Sequence, residues 1–228
     1  MTTRRKIILK ELSLTPLWHV RPTQSAHEAC IKTADVQQSV EIQKMDWNQL
    51  KAAVKSCTSC PLSQTRTQTV FGVGDEHADW LYVGEGPGAR EDAIGEPFVG
   101  PAGKLLDNML IALGLKRGHQ VYIANIVKCH PPSNRNPNNT ETQQCEPYLN
   151  RQIALIKPKI IIALGKVAAQ NLLGRDDSIS SLRGTLYEYS GIPLIVTYHP
   201  AYLLRALPEK AKVWEDLCFA KTTMQSLP

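Results

Sequence analysis

Four short apolar runs set the strongest limit on how this chain folds. They are WLYVG (80–84), VYIANIV (121–127), KIIIALG (159–165) and IPLIVTY (192–198). Each is rich in β-branched residues and bounded by turn formers. Each is also nearly continuous in its apolar character, as a strand reads when both of its faces are buried. Segments with helical periodicity separate them, at 102–113, 140–156, 166–173 and about 209–223. Strand and helix in alternation predict an α/β fold, a three-layer α/β/α sandwich around a central four-stranded parallel sheet. In such sheets function gathers at the carboxyl ends of the strands. The unusual residues sit there: GEGPG at the end of the first run, KCHPP after the second, HPAYLLR after the fourth.

Residues 1–45 read differently from 46–228. A short basic amphipathic segment, Arg4 to Leu14, is followed by Pro16, Trp18 and Pro22, and then by a polar stretch without a period. This predicts a tail and linker ahead of a single domain. From Asp46, a candidate N-cap, a helix is expected to carry Trp47, Leu50 and Val54 on one face. The start is a poor signal peptide, because its apolar stretch is broken at once by Lys10 and Glu11. With no apolar run of about 20 residues either, the expectation is a cytoplasmic monomer without a membrane partner. The net charge of +5 permits a nucleic-acid partner without demonstrating one.

Of the six cysteines, four form a pattern. Cys57 and Cys60 make a tight CxxC. Cys129 and Cys145 bracket a loop rich in proline and asparagine. Thiolates so spaced suit zinc or an iron–sulfur cluster, and the long second spacing leans towards a cluster, whose irons accept distant thiolates. Cys30 and Cys218 need no role beyond free thiol or small core residue.

The glycine-rich GEGPGARED (84–92) satisfies a loose dinucleotide pattern, and FVGPAGKLL (98–106) hints at a P-loop. Pro87, Gly88, Gly95 and Pro97 argue against a helix opening directly from the first, and the second lacks its leading glycine and its Ser or Thr. What remains is either a plain turn or a loop whose backbone approaches a ligand closely. His199 follows a strand and precedes a proline, so its ring is held at the strand's carboxyl end. Leu203 and Leu204 either begin a buried helix or offer a wedge between base pairs.

Together these motifs resemble the family 4 uracil-DNA glycosylases. The matching segments are GEGPG (84–88), EPFVGPAGKLL (96–106), NIVKCHPP with NRNP (125–137), and HPAYLLR (199–205). The resemblance implies hydrolysis of the N-glycosidic bond of uracil in DNA, which leaves an abasic site. It also implies a [4Fe–4S] cluster held by Cys57, Cys60, Cys129 and Cys145. Glu85, Asn125 and His199 would be catalytic. Gly84, Gly86, Phe98 and Glu91 would bind the base, with Glu91 placed to exclude the thymine methyl. Asn134, Arg135, Leu203, Leu204 and Arg205 would contact DNA. The cluster would then pin a loop too polar to order itself.

The first residues, MTTRRKIILKELSLTPLWHVR, resemble the N-terminal peptide of the ψ subunit of the bacterial replicative polymerase. That implies docking of residues 1–20 on the clamp loader through Ile8, Leu12, Leu14 and Trp18. A basic arm that binds DNA or nothing reads equally well. For the whole chain, a non-catalytic DNA-binding or replisome adaptor that keeps the fold is the alternative to the enzyme. An iron–sulfur electron carrier is a third reading, and it would give a base pocket no purpose.

Overall fold

The computed structural model of the protein describes residues 39–227. The expectations for Ile8, Leu12, Leu14 and Trp18, and for most of the linker, lie outside those residues. Six strands, β1 (Val73–Gly74), β2 (Trp80–Gly84), β3 (Val121–Asn125), β4 (Ile160–Leu164), β5 (Leu186–Tyr189) and β6 (Ile192–Thr197), form one sheet. Their spatial order is β1-β3-β2-β4-β6-β5. The four apolar runs are its parallel centre, with β2 paired to β3 and β4, and β4 to β6. Two antiparallel edge strands, β1 and β5, were not expected. β1 has two residues, too few for a pattern, and β5 alternates exposed with half-buried side chains. Ser190 and Gly191, both at positive φ, turn β5 into β6, as a two-residue hairpin requires.

Side chains of the central strands alternate between two cores. Leu81, Val83, Tyr122, Ala124, Ile161, Ala163, Leu194 and Val196 face one. Trp80, Tyr82, Val121, Ile123, Ile160, Ile162, Leu164 and Ile195 face the other. This explains the unbroken apolar runs: every residue has a helix layer to pack against, at about 1.5–3 kcal/mol for each large side chain fully buried. The first core is covered by α1 (Trp47–Ser56), α4 (Asn139–Ile156) and α5 (Lys166–Leu173), through Leu50, Val54, Leu149, Ile153 and Ala169. Asp46 starts α1 through a capping box with Gln49, and Asn138 starts α4 in the same way with Glu141. The second core is covered by α3 (Pro101–Leu113) and α8 (Glu209–Ser226), through Leu106, Leu110 and Ala220.

Three shorter helices, α2 (Ala89–Ile94), α6 (Ile179–Leu182) and α7 (Pro200–Leu203), complete the element order. α2 corrects an expectation, because a helix does open directly from the GEGPG loop. It lasts six residues and ends at Gly95, whose φ of 88° is left-handed. No described helix is long and apolar enough to cross a membrane. β3 lies on one side of β2 and β4 on the other. The connections therefore leave in opposite directions and open a crevice at the carboxyl end of β2.

Candidate active site

The crevice is a cavity of about 510 Å³. Its walls include Glu85, Gly86, Glu91, Phe98, Asn125 and His199, which the chain supplies from the ends of three strands, from the helix 89–94 and from the loops on either side of it. Gly84 ends β2, and a Cβ there would lie 2.5 Å from Asn125 Oδ1 and 2.6 Å from Phe98 Cζ. Only glycine lets these two side chains meet over the strand end. The loop that follows runs beside the continuation of β3: Ile126 N–H donates to Gly84 O at 2.9 Å, and Val127 N–H to Glu85 O at 3.1 Å. Gly86 is packed as closely, since a Cβ would meet Val127 Cγ2 at 2.7 Å.

Asn125 closes β3 and is 2% exposed, yet its Oδ1 has no hydrogen-bond partner among the described residues. An unpaired buried acceptor costs roughly 1–3 kcal/mol. Such an atom, facing a cavity, is suited to a ligand's N–H. Burial raises the pKa of the Glu85 carboxyl, which strengthens it as a proton acceptor.

Phe98 forms the floor. Its backbone is left-handed at φ 55°, uncommon for a residue with a side chain. Its surroundings hold it there. Arg117 donates to Pro97 O and Phe98 O, both at 2.9 Å, and is itself fixed by Asp107 at 2.8 Å. A Cβ on Gly103 would lie 1.7 Å from Phe98 O, so α3 can approach only because that residue is glycine. Glu91 Oε1 accepts the N–H groups of Val99 and Gly100, each at 3.0 Å. The Glu91 carboxylate therefore braces the loop as well as lining the cavity.

The His199 ring stacks on Phe98, with centroids 5.5 Å apart and planes 30° apart. Its Nδ1 accepts from Ala201 N–H at 3.1 Å. Burial pushes its pKa down to about 4, against an opposing pull from Glu91. The ring is therefore neutral at physiological pH, with its proton on Nε2, and offers a fixed N–H donor. A Cβ on Gly165 would sit 2.8 Å from His199 Cβ. The end of β6 is anchored by Thr197, which donates to Asp216 at 2.6 Å, and Asp216 is paired with Arg183 at 2.7 Å.

The rim carries Asn134, Arg135, Asn136, Tyr202 and Arg205. Arg135 also forms a two-pronged pair with the buried Glu141, at 2.6 and 2.8 Å. Leu203 corrects an expectation. It is 1% exposed and packs against Leu113, Val213 and Leu217, so it is not available to DNA. Leu204, 44% exposed, faces outward.

A second pocket lies beside the first core. Cys57, Cys60, Cys129 and Cys145 all line it, with Val54, Lys128 and Tyr148. Arg66 Nη1 donates to Cys129 Sγ at 2.9 Å, and Lys128 N–H to Cys145 Sγ at 3.2 Å. Burial raises the pKa of Cys60 and Cys129 and pushes Cys145 up to about 12. Thiolate character here would have to come from a bound metal and from the cationic neighbours. Among the described residues no three His, Cys, Asp or Glu side chains converge on a single-ion site. Four thiols around one cavity, two of them receiving N–H donors, instead fit a multi-iron cluster that spreads its ligands.

Sequence reasoning missed Arg117, Gly103 and Lys128. Arg117 lies in a loop remote from Phe98 in sequence and carries no local signal. Lys128 did leave one, as a lone charge inside the apolar run NIVKC.

The family model described as "Uracil DNA glycosylase superfamily" matches residues 71–218. The chain is similar to the type-4 uracil-DNA glycosylase of Pyrobaculum aerophilum, 42% identical over 181 residues, covering 76% of this chain and 92% of that protein. It is also similar to the type-4 enzyme of Archaeoglobus fulgidus, 45% identical over 66% of this chain and 79% of that protein. A type-4 relative from Thermotoga maritima is 43% identical over 74% of this chain and 90% of its own length.

Proposed function

The chain belongs to the uracil-DNA glycosylase superfamily, a hydrolase of DNA repair, and from that premise we propose that its crevice grips an extrahelical uracil and cuts it from the sugar. The single observation that carries this reading is the unpaired, buried Asn125 Oδ1 beside a neutral His199. A base within a duplex is unreachable, so the nucleotide is extruded at a cost of a few kcal/mol. Its face stacks on Phe98. Asn125 Oδ1 accepts from uracil N3–H, and the amide nitrogen donates to O4. Cytosine presents the opposite polarity at both atoms and would leave buried groups unpaired, at roughly 1–3 kcal/mol each.

The bond between sugar C1′ and uracil N1 breaks, and the electron pair leaves with the base. Negative charge gathers on O2, where His199 Nε2–H and backbone N–H groups of the glycine loop donate. A neutral imidazole donates without surrendering its proton, so the base departs as an anion. Water adds to C1′, and its proton passes towards Glu85. That carboxyl, raised in pKa by burial, holds the water and counters positive charge on the sugar. Asn134, Arg135, Leu204 and Arg205 form the DNA-facing rim.

Cys57, Cys60, Cys129 and Cys145 would hold a [4Fe–4S] cluster, tying the CxxC after α1 and the loop after β3 to α4 without a part in the base chemistry. The product is an abasic site, the first intermediate of base excision repair. We also propose a cytoplasmic monomer tethered through residues 1–20 to the clamp loader. Capture of clamp-loader subunits by residues 1–25, unchanged by Trp18→Ala, would count against that tether.

The test is a uracil-containing oligonucleotide treated with enzyme and then alkali. Wild type should yield strand breaks, while Asn125→Ala and His199→Ala should each lose about 10²–10³-fold in rate. Wild-type rates in both variants would refute the assignment.

A further inference from the structure

Lys128 links the two pockets, and we propose that it is the positioning residue that sets the Asn125 amide and couples it to the cysteine pocket. This rests on the uracil and cluster readings above. Lys128 is 1% exposed and is among the largest fully buried side chains. Its Nζ donates to Asn125 O at 2.9 Å and to Gln152 Oε1 at 2.6 Å. Gln152, itself 0% exposed, passes the support on by donating to Phe71 O at 2.9 Å. On its other side Lys128 belongs to the cysteine pocket, where its N–H reaches Cys145 Sγ at 3.2 Å. Its carbonyl accepts from Val70 N–H at 2.8 Å, so the lysine backbone is fixed as well.

A charge enclosed this deeply is costly unless anions or well-placed dipoles compensate for it. Among the described residues no carboxylate hydrogen-bonds the ammonium, and the groups facing it are Cys145 and Cys129. A neutral thiol offers little compensation. A cluster of four thiolates is anionic overall and offers a great deal. A methionine would fill the same slot without that cost. The ammonium therefore has a use in what it touches.

What it touches is the last peptide of β3. Among the described residues nothing hydrogen-bonds Asn125 Oδ1 to steer it, so the amide goes where its backbone and packing send it. The peptide that joins Asn125 to Ile126 is held on one side by Ile126 N–H to Gly84 O at 2.9 Å, and on the other by Lys128 on Asn125 O. The second hold depends on a residue whose charge is balanced in the cysteine pocket. The cysteine pocket and the base site thus share one lysine.

The test compares wild type with Lys128→Met and Gln152→Leu in the full chain. Iron per protein, melting temperature, kcat and KM on a uracil oligonucleotide, and inhibition by free uracil are measured together. Lys128→Met should stay iron-loaded and folded, lose about 10–100-fold in kcat and in free-uracil affinity, and leave KM for DNA within about twofold. Its cluster should also become harder to reduce, because a neighbouring positive charge is gone. Gln152→Leu keeps the ammonium but removes its second anchor, and should show a smaller loss of uracil affinity at full iron content. An iron-loaded Lys128→Met with wild-type kcat and uracil affinity overturns the proposal. If Lys128→Met does not fold, Gln152→Leu decides, and wild-type uracil affinity there overturns it. Wild type without iron, or inactive on the oligonucleotide, would overturn the functional reading itself and this inference with it.

Discussion

The two pockets are built on opposite principles. The crevice is made of strand ends and glycines, and close backbone approaches set most of its geometry. Gly84, Gly86 and Gly165 allow approaches that any Cβ would block, and Arg117 clamps the carbonyls around Phe98. One acceptor, Asn125 Oδ1, is left unsatisfied, as suits a site that takes up and releases a ligand. The cysteine pocket is assembled from a CxxC after α1, a loop beyond β3 and a residue of α4. Two of its sulfurs, those of Cys129 and Cys145, are buried and supplied with N–H donors, as suits a group that never leaves. A rigid sheet can hold a vacancy in shape, whereas loops need a permanent cross-link.

The sharpest way to break this contrast is to remove one ligand from the cross-linked pocket. Cys129→Ala should lose iron absorbance and folded protein together, read by iron analysis and circular dichroism. Loss of a metal-held loop closure commonly abolishes folding in proteins that rely on it. A folded, active, iron-free variant would show that the loops hold themselves.

A smaller effect is expected from disturbing the crevice, because its damage is local. In Gly84→Ala the new methyl would sit 2.5 Å from Asn125 Oδ1 and 2.6 Å from Phe98 Cζ. Asn125 and Phe98 are both buried, so relief has to come from a shift of either side chain. A displacement near 1 Å at a reacting group costs about 10²-fold in rate. Gly84→Ala should therefore fold with iron bound and lose about that factor in kcat/KM. Unchanged kinetics would mean that the close approach at the end of β2 has no functional weight.

The contrast also explains what the sequence made legible. The central strands were readable because burial on both faces writes an uninterrupted apolar run. The edge strand β5 was not, since one side of it faces solvent and dilutes the pattern. At the crevice, His199 was readable because it stands directly after such a run, whereas Glu85 and Asn125 were marked only by the family resemblance, and the structure brings all three to one cavity. Arg117 was not, since it acts through carbonyls about twenty residues earlier and needs the fold to reach them. Leu203 and Leu204 are adjacent and chemically alike. Only the packing of α7 against α3 and α8 decides which of them is core.

The smallest expected effect concerns acid. The folded-state pKa of His199 is near 4 against an ordinary 6.5, because burial disfavours the imidazolium. Between those values the unfolded chain binds a proton that the folded chain refuses, so stability falls as pH drops through that window and is unaffected above it. His199→Gln has no such proton. Wild type should therefore lose more melting temperature between pH 7 and pH 5 than His199→Gln does, with the two curves parallel above pH 7. The same neutrality means that His199 imposes no acid limb on kcat between pH 5 and pH 7. Burial raises the pKa of Glu85, so an acid limb set by that carboxyl should vanish in Glu85→Gln at a lower overall rate. If instead the ring nitrogens titrated near 6.5 by ¹⁵N NMR, the donor at the base would be a cation. The preorganised crevice would then owe its charge stabilisation to solvent-dependent protonation rather than to its fold.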